Sequence, residues 1–367
     1  MHVCDITMFY TPHGGGVRRY LHAKRRWYCQ QGDRHTLLSP AGRAHRHGDH
    51  LTLPAPRLPF SHGYRFPLRR APWVGALVDQ APDLIEAGDP YRLAGAAWAA
   101  ADRLGIPATV FVHSDVERLI SRRCGDWAAA PVRSYLRSLY EAFAVVQVPS
   151  RALAERLRGL GLTRVVWQPL GVDAGRFDPA RRDPALRAEL GLKESTRLLV
   201  FAGRYAREKN IDVLLAAMRR LGPGYHLLLI GPDMPSVTLD NVSVQGRFCD
   251  GDRLARLLAS ADALVHAGDQ ETFGLIVLEA MASGLPVVGV RGGALPELIS
   301  PEVGLLAEPR DAVGLAEAVR QLFASDWHAM GRAARARVEA DYRWEAVFAR
   351  QRRLYQGLLA GRSLPED

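Results

Sequence analysis

Several things are scarce in this chain, and each scarcity removes a class of protein. There are 4 cysteines in 367 residues, Cys4, Cys29, Cys124 and Cys249, widely spaced and without a C-x-x-C pair. That argues against a disulfide scaffold or a cysteine-built zinc site and fits a reducing cytoplasm. No apolar run approaches the roughly 18–20 residues that a membrane-spanning helix needs. The stretch from Met1 to Tyr10 lacks a basic segment followed by a cleavable apolar one, so no secretory leader is expected. Lysine is rarer still: Lys24, Lys193 and Lys209 are the only three, against 45 arginines. Acidic residues are short in one half. Through residue 175 there are 23 Lys+Arg against 14 Asp+Glu, and beyond it 25 of each, so the whole formal charge of +9 belongs to the first half.

What is present reads as an ordinary folded protein, with 48% hydrophobic and 24% charged residues. At about 150 residues per domain, the length predicts about two domains. Short apolar runs alternate with amphipathic stretches, the α/β pattern. Strands are expected at Val3–Phe9, His35–Ser39, Leu84–Glu86, Ala108–Val112 and Val145–Val148, with helices at Val17–Gln31, Ala128–Ala144 and Arg151–Leu160. The run of turn residues through Gly161–Asp183 reads as a link. A second series follows, with strands at Arg197–Ala202, His226–Ile230, Val242–Gln245, Ala263–Val265 and Val287–Val290. Its helices are expected at Ile211–Leu221, Arg253–Ala259 and Leu275–Ala282. The boundaries predicted are 1–170, 171–345 and a final helical segment 346–367. Two Rossmann-like domains facing a central cleft would bind ligands at the carboxyl ends of their strands.

Two stretches carry chemistry. In ETFGLIVLEAMASGLPVVG, Glu271 and Glu279 flank a helix expected to begin near Phe273, capped by Thr272 and ended by Gly284 and Pro286. The amides of Phe273, Gly274 and Leu275 would then form an anion- or hydroxyl-binding helix end. Glu279 lies roughly 12 Å further along the axis, so the two carboxylates suit two parts of one long ligand. That spacing does not suit the closely set carboxylate pair of a retaining glycosidase, which is about 5–5.5 Å apart. In FAGRYAREKN, Arg204 and Lys209 follow a strand, and a guanidinium with an ammonium suits a diphosphate.

Together the motifs resemble the retaining GT-B glycosyltransferases of family 4. The matching pieces are Gly14-Gly15-Gly16, FVHSD around His113, Val148-Pro149-Ser150, Gly171-Val172-Asp173 before Phe177, GRYAREKN, ETFGLIVLE, Gly284-Leu285-Pro286-Val287-Val288, and Gly292-Gly293 with Pro296-Glu297. They stand in the family's order along nearly the whole chain. The resemblance implies transfer of a sugar from a nucleotide-diphosphate sugar with retention, with no resident cofactor and no metal. It assigns Arg204 and Lys209 to the donor diphosphate and Glu279 to the ribose. Glu271 with the Phe273–Leu275 amides, and His113, fall on the transferred sugar. Gly15 and Gly16 would admit the ligand close to the backbone. Catalysis would rest on positioning and charge stabilisation. A non-catalytic nucleotide-sugar- or membrane-binding protein of the same fold could dispense with Glu271, Lys209 or His113, and none is lost here.

Other signals are bland. Asp250-Gly251-Asp252 mimics a metal motif but stands before a helix, where such residues turn and cap. His45, His47, His50 and Asp49 read as a solvated loop. The glycine loop lacks G-x-G-x-x-G, and the second strand ends without an acidic residue, so a nicotinamide site is disfavoured. On a helical wheel Arg18, Arg19, His22, Arg25 and Arg26 share one arc opposite Val17, Tyr20, Leu21, Trp27 and Tyr28. Such a face could meet anionic phospholipid at roughly 1 kcal/mol per basic residue. Pro54–Trp73, with Phe60, Tyr64, Phe66 and Trp73, is either an acceptor loop at the membrane or a packed surface loop. The expected acceptor is a lipid or lipid-linked glycan, or else a soluble small molecule, met by a cytoplasmic protein peripheral to the membrane. No nucleic-acid motif accompanies the charge.

Overall fold

The computed structural model describes residues 1–11, 15–59, 63–246 and 249–364. The chain divides into two compact units, one of Met1–Pro169 with the segment from Trp344, the other of Leu170–Arg343. Gly14 and Phe60 lie outside the described residues.

The first unit begins β1 (His2–Ile6), α1 (Gly16–Gln30), β2 (Arg34–Ala41), β3 (His45–His47) and β4 (His50–Pro54). It continues α2 (Ala71–Gln80), β5 (Leu84–Ala87), α3 (Arg92–Leu104), β6 (Ala108–Phe111), α4 (Val116–Cys124), α5 (Asp126–Glu141), β7 (Val145–Val148), α6 (Arg151–Gly159) and β8 (Val165–Trp167). The sheet order is β3-β4-β2-β1-β5-β6-β7-β8, parallel throughout except for the β3–β4 pair. Its central strands are wholly buried: all of β1, β5, β6 and β7 are covered, while the edge strand β3 is exposed. That is why they read as unbroken apolar runs, not as alternation. Side-chain caps start two helices. Asp115 accepts the Arg118 amide at 3.2 Å, and Ser150, of the Val-Pro-Ser motif, accepts the Leu153 amide at 3.3 Å.

The second unit contains α7 (Ala185–Glu189), β9 (Arg197–Ala202), α8 (Ile211–Leu221), β10 (Tyr225–Ile230), β11 (Val242–Gln245), α9 (Gly251–Ser260) and β12 (Ala263–Val265). It ends α10 (Leu275–Ala282), β13 (Val287–Val290), α11 (Leu295–Leu298), β14 (Gly304–Ala307), α12 (Ala312–Ala324) and α13 (Trp327–Asp341). The order is β11-β10-β9-β12-β13-β14, parallel at every pairing. The last helix, α14 (Trp344–Leu359), belongs with the first unit and packs on α1.

Each sheet reverses its order of addition at one point, between β1 and β5 in the first unit and between β9 and β12 in the second. The loops leaving the carboxyl ends of such neighbouring strands diverge and leave a crevice, the usual ligand position in open α/β sheets.

Several expectations change. The histidine loop is an antiparallel hairpin, with His45 opposite Thr52 and His47 opposite His50. His50 is partly covered, bonded to Ser39 Oγ at 2.8 Å, and burial with the nearby Arg25 charge lowers its imidazole to about 4. Helices α2 and α3 stand where no element was anticipated. Parts of the 54–73 segment are packed, with Trp73 2% exposed in the core and the Tyr64 ring against Phe9, while most of its described residues are exposed. On α1 the basic arc is partly engaged, with Arg25 3.6 Å from Asp49 and the Arg18 guanidinium 6.0 Å from the centre of the Tyr10 ring. Asp250 is, as expected, the cap of α9, accepting the Arg253 amide at 2.8 Å. Among the described residues no helix is long and apolar enough to cross a membrane.

Candidate active site

In the second unit two of the expected donor residues, Lys209 and Glu271, meet on the loops that follow β9 and β12. Lys209 ends a short 3-10 turn, Arg207–Lys209, after β9. Asn210 follows with φ 48° and ψ 49°, a left-handed conformation that asparagine tolerates. Its side-chain amide donates to the Ala267 carbonyl at 2.9 Å, which ties the Lys209 turn to the chain leaving β12. Glu271 stands on that chain. The Lys209 ammonium and the Glu271 carboxylate are in direct contact, with side chains 18% and 16% exposed.

His266 completes the group. It is fully buried, and its Nε2 lies 3.1 Å from the same Glu271 oxygen that Lys209 meets, close but not aligned for a linear hydrogen bond. Its Nδ1 accepts the Gly268 amide at 3.1 Å. The ring proton is thereby assigned to Nε2, the nitrogen beside the carboxylate. Burial alone would raise the Glu271 carboxyl; the Lys209 charge and His266 outweigh it and hold the carboxyl well below the usual range. Glu271 is therefore an anion at any working pH.

The Glu271 backbone is fixed from behind by the Gly292-Gly293 motif. A side-chain carbon at Gly293 would stand 2.3 Å from the Glu271 carbonyl oxygen, and one at Gly292 would stand 2.8 Å from the Asp269 backbone. The Ala294 amide donates to the Glu271 carbonyl at 2.8 Å. These glycines are the reason the loop after β13 can lie flat against the loop that carries Glu271.

The helix end differs from expectation. α10 begins at Leu275, and its cap is Gly274 at φ 98°, with no side-chain cap hydrogen bond. Thr272 is thus not the cap, because the chain enters the helix through a left-handed turn that only glycine adopts readily. Phe273 precedes the helix and is buried, its ring 6.2 Å from that of Tyr342. The Val277 and Leu278 amides bond the Gly274 carbonyl, while those of Leu275 and Ile276 have no backbone acceptor among the described residues. Glu279 lies on the next turn and is 3% exposed. Arg204 is set apart from this cluster: its side chain is 57% exposed and is bonded to Glu208 at 3.1 Å.

In the first unit Gly15 is the cap of α1 and Gly16 its first residue. A side-chain carbon at Gly15 would meet nothing within 4 Å, so the approach there is open. His113 follows β6. Its ring stacks on Phe111 at 4.5 Å and meets the edge of Tyr20 at 5.3 Å. Burial, with the nearby Lys24 charge, pushes its imidazole down to about 3, so it is neutral.

Comparison with known proteins fits this geometry. The sequence model "Glycosyltransferase Family 4" matches residues 14–176 and "Glycosyl transferases group 1" matches 196–325. A GDP-mannose-dependent monoacylated alpha-(1-6)-phosphatidylinositol monomannoside mannosyltransferase of Corynebacterium glutamicum is 33% identical over 287 residues, 71% of this chain and 75% of the relative. The chain belongs to glycosyltransferase family 4. The GDP-mannose-dependent alpha-(1-6)-phosphatidylinositol dimannoside mannosyltransferase of Mycobacterium tuberculosis is 29% identical to this glycosyltransferase over 364 residues, 95% of this chain and 94% of the relative. Sulfoquinovosyl transferase SQD2 of Arabidopsis thaliana is 32% identical over 282 residues, 72% of this chain but 55% of the plant protein. Among solved structures, the sucrose-phosphate synthase of Thermosynechococcus elongatus superposes with a TM-score of 0.80 at 22% identity, over 98% of this chain and 100% of that one. The fold is GT-B, two parallel-sheet α/β units.

Two parts of the glycosyltransferase escaped the sequence reading. His266 was passed over because a lone histidine after a short strand carries no spacing signal; its role exists only through Glu271, five residues on. Lys24 was counted as rare and given no partner. It is fully buried, bonded to Asp5 at 2.8 Å, to Glu86 at 2.7 Å and to the Tyr355 hydroxyl at 3.2 Å.

Proposed function

We propose that this glycosyltransferase moves a hexosyl group, with retention, from a nucleotide-diphosphate sugar to a hydroxyl of a lipid or lipid-linked glycan at the cytoplasmic face of the membrane. The observation that carries the reading is the Lys209–Glu271–His266 group at the crevice between β9 and β12. Lys209 and Arg204 supply positive charge for the diphosphate as the bond to the sugar breaks. The anionic Glu271 and the open helix end at Leu275 and Ile276 accept and donate to the sugar hydroxyls. Glu279 is assigned the ribose and His113 the transferred sugar, as a neutral hydrogen-bonding ring. The reading needs no protein nucleophile, no resident cofactor and no divalent metal, because charge stabilisation comes from side chains and backbone amides. The named activities of the two bacterial relatives favour GDP-mannose as donor and a phosphatidylinositol-type acceptor. Arg26, with the partly engaged Arg18, Arg19 and Arg25, is assigned to anionic lipid, as weak and reversible docking.

A thermal-shift panel of GDP, GDP-mannose, UDP and UDP-glucose tests the donor. A ligand at a hundredfold excess over its Kd stabilises the fold by about 2.7 kcal/mol, so guanine nucleotides should raise the melting temperature and uracil ones should not. Glu279→Ala should weaken the response. A Lys209→Ala protein that turns over donor as fast as wild type would remove Lys209 from the diphosphate. Silence toward every nucleotide would overturn the whole reading.

A further inference from the structure

A polar stripe crosses the buried face of the first unit's sheet. Asp5 on β1 and Glu86 on β5 are register partners, and Thr109 on β6 stands opposite Glu86. Gln147 on β7 extends the stripe. Two helices cover it, α1 with Tyr20 and Lys24, and α14 with Gln351 and Tyr355. Each of these eight residues is at most 2% exposed. A fully enclosed ionic and polar cluster is a costly thing to place in a core that apolar residues could fill, so its connections matter.

Those connections lead to one ring. Glu86 Oε1 accepts from Lys24 at 2.7 Å and from the Tyr20 hydroxyl at 3.1 Å. Glu86 Oε2 accepts from Tyr355 and, at 2.7 Å, from Gln147. The Tyr20 hydroxyl in turn accepts from the Gln351 side-chain amide at 2.8 Å. Both hydrogen-bonding capacities of the phenol are thus filled, one from β5 and one from α14. The ring that this hydroxyl anchors packs T-shaped against His113 at 5.3 Å and lies 5.2 Å from Phe111, the ring stacked on His113, so the three rings form one triangle. Phe348 and Trp344 of α14, themselves stacked at 5.0 Å, close in on the Tyr20 ring at 5.8 and 6.2 Å.

We infer that Tyr20 is the positioning residue for His113, pinned through its hydroxyl by Glu86 and Gln351, so that the seating of α14 sets the orientation of the histidine ring. The inference deepens the proposed function, since it rests on His113 contacting the transferred sugar. Lys24 neutralises the Glu86 carboxylate that does the pinning, and Tyr355 and Gln147 hold its other oxygen. Phe111 stacks on the imidazole, and the Tyr20 ring, at 65° to it, packs against both.

Two variants and two readouts test it. Tyr20→Phe keeps the ring and removes the pin; Gln351→Met keeps the hydroxyl and removes the donor from α14. In protein labelled with 15N-histidine, long-range 1H–15N spectra report the tautomer and environment of each imidazole. Wild-type His113 should show one neutral tautomer. In both variants its signals should move or broaden by tautomer exchange, while those of His226 and His266 in the other unit stay in place. With GDP-mannose and a phosphatidylinositol mannoside, kcat should fall about tenfold, as expected when a group near the reacting atoms loses its fixed geometry, with the donor KM within about twofold. Unmoved His113 signals in both variants overturn the positioning role. Shifted signals with an unchanged kcat overturn its connection to the reaction. A wild-type protein that binds no nucleotide refutes the proposed function, while the spectra still decide whether Tyr20 positions the ring. If one variant does not fold, the other carries the comparison.

Discussion

Replacing Lys24 by methionine is the sharpest test of the architecture, because it removes a charge and leaves the volume almost intact. In the wild type the ammonium touches two carboxylates, at 2.8 Å from Asp5 and 2.7 Å from Glu86, and none of the three side chains is more than 3% exposed. At an effective dielectric of about 20 each contact is worth about 6 kcal/mol of attraction. Most of that is offset by the cost of bringing the ions out of water. What is left when one partner disappears is two buried carboxylates, and breaking such a buried group costs about 3–5 kcal/mol. His35, 2.9 Å from Asp5, and the donors around Glu86 soften the loss but do not replace the ammonium. For a unit of this size, about 1 kcal/mol moves the midpoint by roughly 2–4 °C, so the first unit should melt about 6–20 °C lower by calorimetry at pH 7. The pH dependence has a definite sign. Burial raises the Asp5 carboxyl, but the Lys24 charge and the His35 contact win and lower it to about 2. A depressed carboxylate adds stability that is full above its ordinary value of 3.8 and is lost as the pH falls toward about 2. The gap between Lys24→Met and wild type should therefore be widest near neutrality and close below about pH 4. Adding Glu86→Gln to Lys24→Met should restore part of the loss by removing one stranded charge. A midpoint change under about 2 °C, or a gap that is the same at pH 3 as at pH 7, would refute the reasoning.

Three further outcomes are expected. Lys209→Met should destabilise the second unit by about 2–3 kcal/mol, measured by urea titration; since Glu271 is held below its ordinary 4.5, the difference should be full above that value and fade as the pH falls beneath it. Gly293→Ala should lower both stability and activity, because its new carbon would stand 2.3 Å from the Glu271 carbonyl oxygen at a φ of 56°; donor affinity unchanged by calorimetry would show that the Glu271 loop does not need this support. Charge reversal of Arg26 together with Arg18 should reduce sedimentation with phosphatidylglycerol vesicles at low salt, and equal binding by both proteins would remove the α1 face from membrane docking.

How much of this was legible beforehand follows from the range of each signal. Caps and periodicity act within a few residues, so most of the buried strands and half of the helices could be read, and Asp250 could be recognised as a cap. The motifs around Lys209 and Glu271 could be read because their residue types and spacing are themselves the signal. The start of α10 was misplaced because glycine in a left-handed turn and threonine as a cap compete over two adjacent positions. The β3–β4 hairpin was missed because its histidines and arginine carry no alternation of apolar and polar residues. Lys24 is the instructive case. The same wheel that separates the arginines puts it at about 240° from Arg18, between Tyr20 and Tyr28 on the buried arc, yet nothing nearby in sequence says what compensates it.

The sequence alone determined the class of fold, the two α/β series, and the side chains with chemistry suited to a diphosphate and a sugar. Those features depend on local periodicity and on short motifs. Only the tertiary structure decided which side chains meet. Glu271 finds Lys209 62 residues away and His266 beside it, and Lys24 finds Tyr355 331 residues away. Sheet order and the return of α14 to the first unit bring these partners together. Their charges make sense only once both partners are taken out of water.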